Sequence, residues 1–522
     1  MFCVRVRPDM RRASRLPAVK AVASKLKIPQ INTRAPGPSP RMRAMELDFA
    51  FWLLLLYGIF LAMGIWLAVR ALLWARTAQG ATAWAVALLT VPFLAVPAYA
   101  VFGGHRFQGY VNRRRNSDHK LKKEWDEFDS WFVRARCFNG ERKPAIEAFE
   151  SIANIPFTAA RSVRLLENGD AFFPELKKAL LGAERFIDFQ FYVFRDDGIG
   201  AEIAGILEEK AKQGVQVRIL YDSIGSQESS RKFFERIRAS GAKVEAFVST
   251  RWRLKSFRFQ INFRNHRKLV NIDNRLLFVG GMNVGDDYLS KNEEIGFWRD
   301  THAVIEGSPA VQAGHSFLAD WYWSTGEVID FDSKGLEPSG EIPVLILATS
   351  PTGIREAGSL AMLNAISSAR KRLWIATPYF VPDEQIVSAL QLAALRGVEI
   401  KILIAGRTDQ KLARLAARTF LDELIPCGIQ IFEYQGGFMH QKVVLVDEEL
   451  AHVGSTNFDN RSFRLNFEIG AWVVDRNFGS QVESMLRRDL AASKEIELRE
   501  LKSMPFSEQI ACGFARLLAP IL

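Results

Sequence analysis

Two stretches decide how this chain is read: HRKLVNIDNRLLFVGGMN, residues 266–283, and HQKVVLVDEELAHVGSTN, residues 440–457. Both run His-x-Lys-x4-Asp, then carry a glycine (Gly280, Gly454) and an asparagine (Asn283, Asn457) at matching distances. The copies lie 174 residues apart in a chain of 522. A lone His-x-Lys arises often by chance, but two copies of a whole constellation indicate an internal repeat. The echo continues upstream. FIDFQFYVFRDDGIGAEIAGILEEKAKQGVQVRILYD (186–222) and LWIATPYFVPDEQIVSALQLAALRGVEIKILIAG (373–406) both read strand, helix, strand. Gly214 and Gly397 stand where a helix C-cap glycine belongs. Alternating strands and helices predict an α/β sandwich, and the duplication predicts two of them facing one another.

The motif residues carry chemistry. KLVNID and KVVLVD are β-rich, and positions two apart in a strand share a face. His266 and Lys268 are therefore expected to project together, as are His440 and Lys442. Asp273 and Asp447 have the wrong parity for that face. Asp273 adjoins Asn274, a turn former, and Asp447 precedes two glutamates, so both are expected to hold a hairpin turn. Bringing the repeats together would place two His, two Lys and two Asn around one pocket. One imidazole can attack phosphorus while the other donates a proton to the leaving alkoxide. Lys268, Lys442, Asn283 and Asn457 would bind phosphoryl oxygens, and their charge would replace a metal ion. His, Lys and Asn make a poor metal site, because protonated Lys is no ligand. No metal or cofactor is expected. Each histidine needs a carboxylate to fix its tautomer. Glu468 follows His440 by 28 residues. For His266, Glu294 shares that offset and Asp300 in FWRDTHAVIEG has the better local match, so Asp300 is preferred.

The rest of the chain is read by composition. Hydrophobic residues make up 48% and charged residues 24%, enough apolar material for two globular domains and too much for disorder. Cys3, Cys137, Cys427 and Cys512 are far apart, which argues against a zinc knuckle or a disulfide framework. The net charge is +11. Residues 1–44 hold eleven Lys/Arg and one acid, so the body that follows is nearly neutral. That distribution argues against nucleic acid as the partner. The Arg-rich, proline-broken tail is expected to be disordered or a start-site artefact, with Met45 as the alternative start, rather than a transit peptide. FAFWLLLLYGIFLAMGIWLAV (49–69) carries no charge and spans about 30 Å as a helix, the depth of a bilayer core. A second uncharged run covers Thr77 to Gly104. Lys and Arg crowd both outer flanks, while Arg70 and Arg76 alone lie between the runs. The expectation is a two-helix transmembrane hairpin, with helices near 49–69 and 81–103 and both ends cytoplasmic. The expected order is a tail (1–44), the hairpin (45–104), a basic linker (105–150), one repeat (151–335), its copy (336–500) and an apolar end (501–522).

The paired His-x-Lys-x4-Asp motifs, with GGMNVGDDY, WRDTHAVIEG and GSTNFDNRSFRLNFE after them, resemble the phospholipase D superfamily over residues 150–500. With the membrane segments and the terminal FARLLAPIL, the layout resembles the bacterial cardiolipin synthases within it. The resemblance implies two phospholipase D-like α/β repeats with one active site between them, in a multi-pass inner-membrane enzyme. It implies phosphatidyl transfer between two phosphatidylglycerol molecules, releasing glycerol, through a phosphohistidine. It makes His266, Lys268, Asp273, His440, Lys442 and Asp447 the catalytic set, with His266 as nucleophile by analogy. A membrane-bound phospholipase D, or a transferase to another alcohol, would carry the same motifs. A nuclease of this fold is the further rival, since RWRLKSFRFQINFRNHRK (251–268) interleaves cations with aromatics. The same pattern suits an anionic lipid surface, and the membrane runs favour lipid.

Overall fold

The central strands of each repeat are buried on both faces, so each repeat needs helices on both sides. In the first repeat the strands are β1 (Thr158–Glu167), β2 (Phe186–Phe191), β3 (Gln216–Asp222), β4 (Lys243–Phe247), β5 (Arg264–Asn265), β6 (Leu269–Ile272), β7 (Leu276–Gly280), β8 (Trp298–Arg299) and β9 (Thr301–Gly307). In the second they are β10 (Ile342–Thr349), β11 (Arg372–Thr377), β12 (Phe380–Val381), β13 (Glu399–Ala405), β14 (Gln430–Tyr434), β15 (Phe438–Met439), β16 (Val443–Val446), β17 (Leu450–Gly454), β18 (Phe458–Asp459), β19 (Asn466–Val474) and β20 (Ser493–Glu495). These come from a computed structural model that describes residues 40–75, 77–103, 122–138, 143–247, 263–331, 336–352, 355–408 and 410–522, without the side chains of 40–47 and 521. The first 39 residues of the basic tail and most of the aromatic–basic stretch 251–268 lie outside the described residues.

The sheet reads β20-β14-β13-β11-β16-β17-β19-β10-β1-β9-β7-β6-β2-β3-β4. Its centre is the antiparallel β1–β10 pair, with Thr158 opposite Val344. The order is nearly mirrored about that pair, as a duplication requires. β2, β3 and β4 run parallel, as do β11, β13 and β14. The helices Gly198–Lys212 and Glu384–Leu395 make the equivalent crossovers. Gly214 and Gly397 follow them at φ 92° and 89°, conformations that favour glycine. One core runs through both repeats: Ala303 and Ile305 of β9 share a cluster with Ile469 and Ala471 of β19, under the helices Pro309–Thr325 and Arg476–Ala491.

The stretch expected to be a linker contains two packed helices. Lys122–Ala135 buries Phe128, Trp131 and Phe132 against Val311 and Leu318, and Trp131 donates to the Leu336 carbonyl at 2.9 Å. Pro144–Ala153 buries Phe149, and its Glu150 accepts from the Phe157 amide. What marks both helices in the sequence is their aromatic face, which the surrounding charges obscure.

The chain divides into two units, Met1–Met63 and Gly64–Leu522. The described part of the first belongs to the helix Pro40–Trp74, whose stretch Asp48–Trp74 is long and apolar enough to cross a bilayer. In the second unit, the second apolar run is not one helix, contrary to expectation. It forms Ala78–Thr90 and Pro92–Phe102, broken at Val91. Pro92 lacks an amide proton and takes the first turn of the next helix, which ends the preceding one.

Candidate active site

The two His-x-Lys segments lie just before β6 and β16, in short connections rather than inside a strand. What fixes them is pairing across the repeats. β5, which leads into His266, pairs with the start of β19: Arg264 with Asn466 and Asn265 with Phe467. β15, which leads into His440, pairs with β8: Phe438 with Trp298 and Met439 with Arg299. The His266 amide then donates to the Phe467 carbonyl at 2.9 Å, and the His440 amide to the Arg299 carbonyl at 2.7 Å. Each histidine is thereby held beside the carboxylate that follows in the other repeat.

The carboxylate pairing is therefore crossed relative to the in-repeat expectation. Glu468 meets His266 Nδ1 at 2.9 and 3.1 Å, and Asp300 meets His440 Nδ1 at 2.9 Å. Glu294 is exposed and takes no part. Both acids are fully buried. Burial pushes the Glu468 carboxyl up, but the charge and hydrogen bond of His266, with Lys268 and Ser455, outweigh it and hold it below its ordinary value. For Asp300, burial is likewise outweighed by Lys442 and His440. Both acids are thus anions, so each Nδ1 carries the proton it donates and each Nε2 keeps a lone pair. Burial, with the lysine charges, also lowers both imidazoles to about 4, against the pull of their carboxylates. The two motifs feel one another's charge: Lys442 acts on His266, and Lys268 on His440.

Lys268 donates to the His266 carbonyl at 2.8 Å, and Lys442 to that of His440. Burial drives the Lys268 ammonium well below its ordinary value. The Tyr192 ring lies 5.0 Å from His266 and 5.3 Å from the Lys268 ammonium. Trp298 lies 5.4 Å from His440. The asparagines are less free than expected. Asn283 accepts from the Val193 amide at 3.0 Å and donates to the Tyr288 hydroxyl at 2.5 Å. Asn457 is buried, and its amide oxygen has no hydrogen-bond partner among the described residues.

Asp273 and Asp447 hold turns, as their parity and neighbouring residues indicated. Asp273 sits at φ 56° and accepts the amides of Glu184, Arg185 and Phe186 at 2.8 to 2.9 Å. Asp447 sits at φ 53° and accepts those of Arg370, Lys371 and Arg372. Asp273→Asn leaves one of these amides facing an NH2, a loss of about 1–3 kcal/mol in stability. Turnover per folded molecule should change by less than about threefold, because no reacting group moves. Thermal unfolding beside an activity assay checks this; turnover lost at unchanged stability would refute it.

Sequence reasoning missed the groups that lock the motifs from behind. Arg267, the middle residue of the first motif, donates to Asp320 at 2.7 Å, to Ser316 at 2.8 Å and to the Thr349 carbonyl at 2.9 Å. Asp320 also accepts from Gln190 and Asn265. In the second motif Gln441 donates to Asp489, which Arg299 grips with two hydrogen bonds at 2.8 and 2.9 Å. Asp320 and Asp489 stand on equivalent helices. Finding them from sequence would have required matching the helix after each carboxylate strand as part of the repeat.

Two further histidines sit inside the sheet. Burial lowers His302 and His452 to about 3, from an ordinary 6.5. Both are neutral when folded, and the unfolded chain takes up their protons as pH falls below about 6.5. Stability should therefore fall between about pH 6.5 and 3. His452 packs at 4.6 Å on Trp472, and the equivalent place in β7 is Phe278. His452→Phe should flatten the slope of melting temperature against pH over that window. An unchanged slope would contradict the assignment.

Comparisons with known proteins agree with this geometry. A family model described as "Cardiolipin synthase, PLD-like domain" matches residues 176–308 and again 362–490. "Cardiolipin synthase A" of Pseudomonas putida (strain GB-1) is 39% identical over 472 residues, 90% of this chain and 98% of that protein. "Cardiolipin synthase A" of Pseudomonas aeruginosa (strain LESB58) is 40% identical over 480 residues, 90% of this chain and 96% of that one. Among solved structures, the phosphatidylserine synthase of Haemophilus influenzae Rd KW20 aligns with 73% of this chain and all of its own, at TM-score 0.58 and 16% identity, a likeness of fold.

Proposed function

The chain belongs to the cardiolipin synthase family, whose domain is phospholipase D-like, and from that premise we propose that it is a phosphatidyltransferase joining two phosphatidylglycerol molecules into cardiolipin and glycerol. The observation that carries the chemistry is the pair of imidazoles, one in each repeat, each held at Nδ1 by a buried carboxylate of the other repeat. In the first step His266 Nε2 attacks phosphorus and the bond to the headgroup glycerol oxygen breaks. His440, acting as an acid, gives that oxygen its proton. His440 must be protonated for this, and the phosphodiester charge beside it favours the imidazolium. In the second step the free hydroxyl of another phosphatidylglycerol gives its proton to His440, attacks phosphorus and displaces His266. Lys268, Lys442 and Asn457 face the phosphoryl oxygens and stabilise their charge. One phosphodiester replaces another, so the exchange needs no nucleotide.

Purified protein given phosphatidylglycerol alone should therefore form cardiolipin and glycerol in equal amounts, and excess glycerol should reverse the reaction. An absolute requirement for CDP-diacylglycerol would overturn the reading. The protein is membrane-associated. Its family and the apolar helix Asp48–Trp74 support an integral inner-membrane placement, with the catalytic body cytoplasmic and the second apolar run returning the chain. A reporter inserted between Arg70 and Arg76 should face away from the cytoplasm, and one after Lys123 toward it. The reverse pattern would refute this topology.

A further inference from the structure

The last helix, Phe506–Leu517, follows Pro505, whose ring suits a helix start. One face buries Cys512 and Ala515 against the helix Lys411–Leu424. Ion pairs Arg418–Glu508 and Arg516–Glu423 tie the two together. Among the described residues nothing covers the other face. Phe506 is 76% exposed, Ile510 51%, Phe514 70%, Leu517 74% and Leu518 38%. Their spacing of three and four residues makes one stripe along the helix. Beyond residue 102, the other exposed large hydrophobics among the described residues stand singly, as at Val133, Leu181, Phe297 and Leu360, apart from the shorter pair Leu392 and Leu395. A contiguous apolar ridge on an otherwise ordinary surface marks a contact.

The membrane association of the chain points to what the ridge meets. Exposed Lys502 accompanies it, Arg499 and Arg516 stand exposed beside it in surface pairs with Glu497 and Glu423, and the acid of the helix, Glu508, is held by Arg418. Aromatic and aliphatic side chains bordered by cations suit an anionic lipid surface. The helix also borders a cavity of about 410 Å³ lined by Tyr379, Phe380, Ala413, Leu421, Met504 and Pro505. Phe380 pairs in register with Phe458, the residue after Asn457 of the second motif. The inner side of the helix thus packs toward the strand pair β12–β18, which follows the second motif.

We infer that the helix Phe506–Leu517 seats the catalytic body on the anionic bilayer, with Phe506, Ile510, Phe514 and Leu517 immersed at headgroup depth. This rests on the phosphatidylglycerol reading and adds the surface that presents the lipid. The test uses the full chain carrying Phe506→Ser and Phe514→Ser, reconstituted in vesicles of equal parts phosphatidylglycerol and phosphatidylcholine. Transfer on this vesicle lipid should fall by about fivefold or more, while transfer on monomeric dihexanoyl-phosphatidylglycerol stays at the wild-type rate. A direct reading does not depend on catalysis. A fluorophore on Phe514→Cys, with the natural cysteines replaced, should be quenched by lipids spin-labelled near the headgroup. Absent quenching, an equal loss on both substrates, or a smaller particle mass in detergent, which would make the ridge a contact between copies, would each overturn the inference. Strong quenching in a protein inactive on both lipids would uphold the surface and sink the phosphatidylglycerol reading instead.

Discussion

Alanine at His266 or at His440 lowers phosphatidyl transfer at least about a thousandfold, and alanine at both lowers it no further. The two imidazoles are parts of one device. Without His266 no nitrogen stands where the phosphoryl group must be accepted. Without His440 the leaving glycerol oxygen has no proton donor and the incoming hydroxyl no base. The losses do not add because either alone stops the same cycle. The fold should tolerate each change, since what positions the segment is the backbone bond from His266 to Phe467 and from His440 to Arg299. The side chains are nearly buried, 12% and 10% exposed, so the cavities left are small and partly open to solvent. Glycerol release from phosphatidylglycerol, measured on protein of matched melting temperature, reads the effect. Turnover within about tenfold of wild type in either variant would sink the mechanism.

Much of this arrangement is legible in the sequence, because it is local. The repeat announces β6 and β16 through KLVNID and KVVLVD, and parity together with Asn274 and the glutamates after Asp447 places Asp273 and Asp447 in turns. The glycines after the crossover helices declare their backbone. What was not legible lies between segments far apart in the chain. Glu468 is 202 residues from His266, and Asp300 is 140 from His440. Nothing in the local pattern says that β5 lies on β19, or β15 on β8. Each of those contacts is two residues long and carries no periodicity. The duplication even misled, because the same spacing in both halves suggested that each half completes its own histidine. The break in the second apolar run was legible, in Pro92, but composition alone does not weigh one proline against a long uncharged stretch.

Glutamine at Glu468 impairs His266, and asparagine at Asp300 impairs His440; each costs about 10²–10³-fold in transfer rate. The cause is a tautomer. Glu468 Oε1 accepts from the Asn466 amide at 3.0 Å, and Oε2 from the Ser455 hydroxyl. Ser455 in turn accepts from the Ile469 amide at 3.0 Å, which commits its proton to the glutamate. A glutamine oxygen placed toward Ser455 therefore turns its NH2 toward the Asn466 donor, and the opposite placement sets it against the serine proton. Either way an NH2 competes for the edge where His266 Nδ1 donates. Pressed to accept there, the imidazole moves its own proton to Nε2 and loses the lone pair that attacks phosphorus. Asp300 has its own donors, the Thr301 amide at 2.8 Å and the Trp298 indole at 3.5 Å, so the same argument applies to His440. The chain contains seven histidines, few enough for nitrogen NMR of protein labelled in histidine alone. Signals assigned with the two alanine variants should respond in crossed fashion: Glu468→Gln shifts His266, and Asp300→Asn shifts His440. If Glu468→Gln instead moved the His440 signal and left that of His266 in place, each repeat would be completing its own histidine, and the crossed pairing that joins the two halves into one site would be wrong.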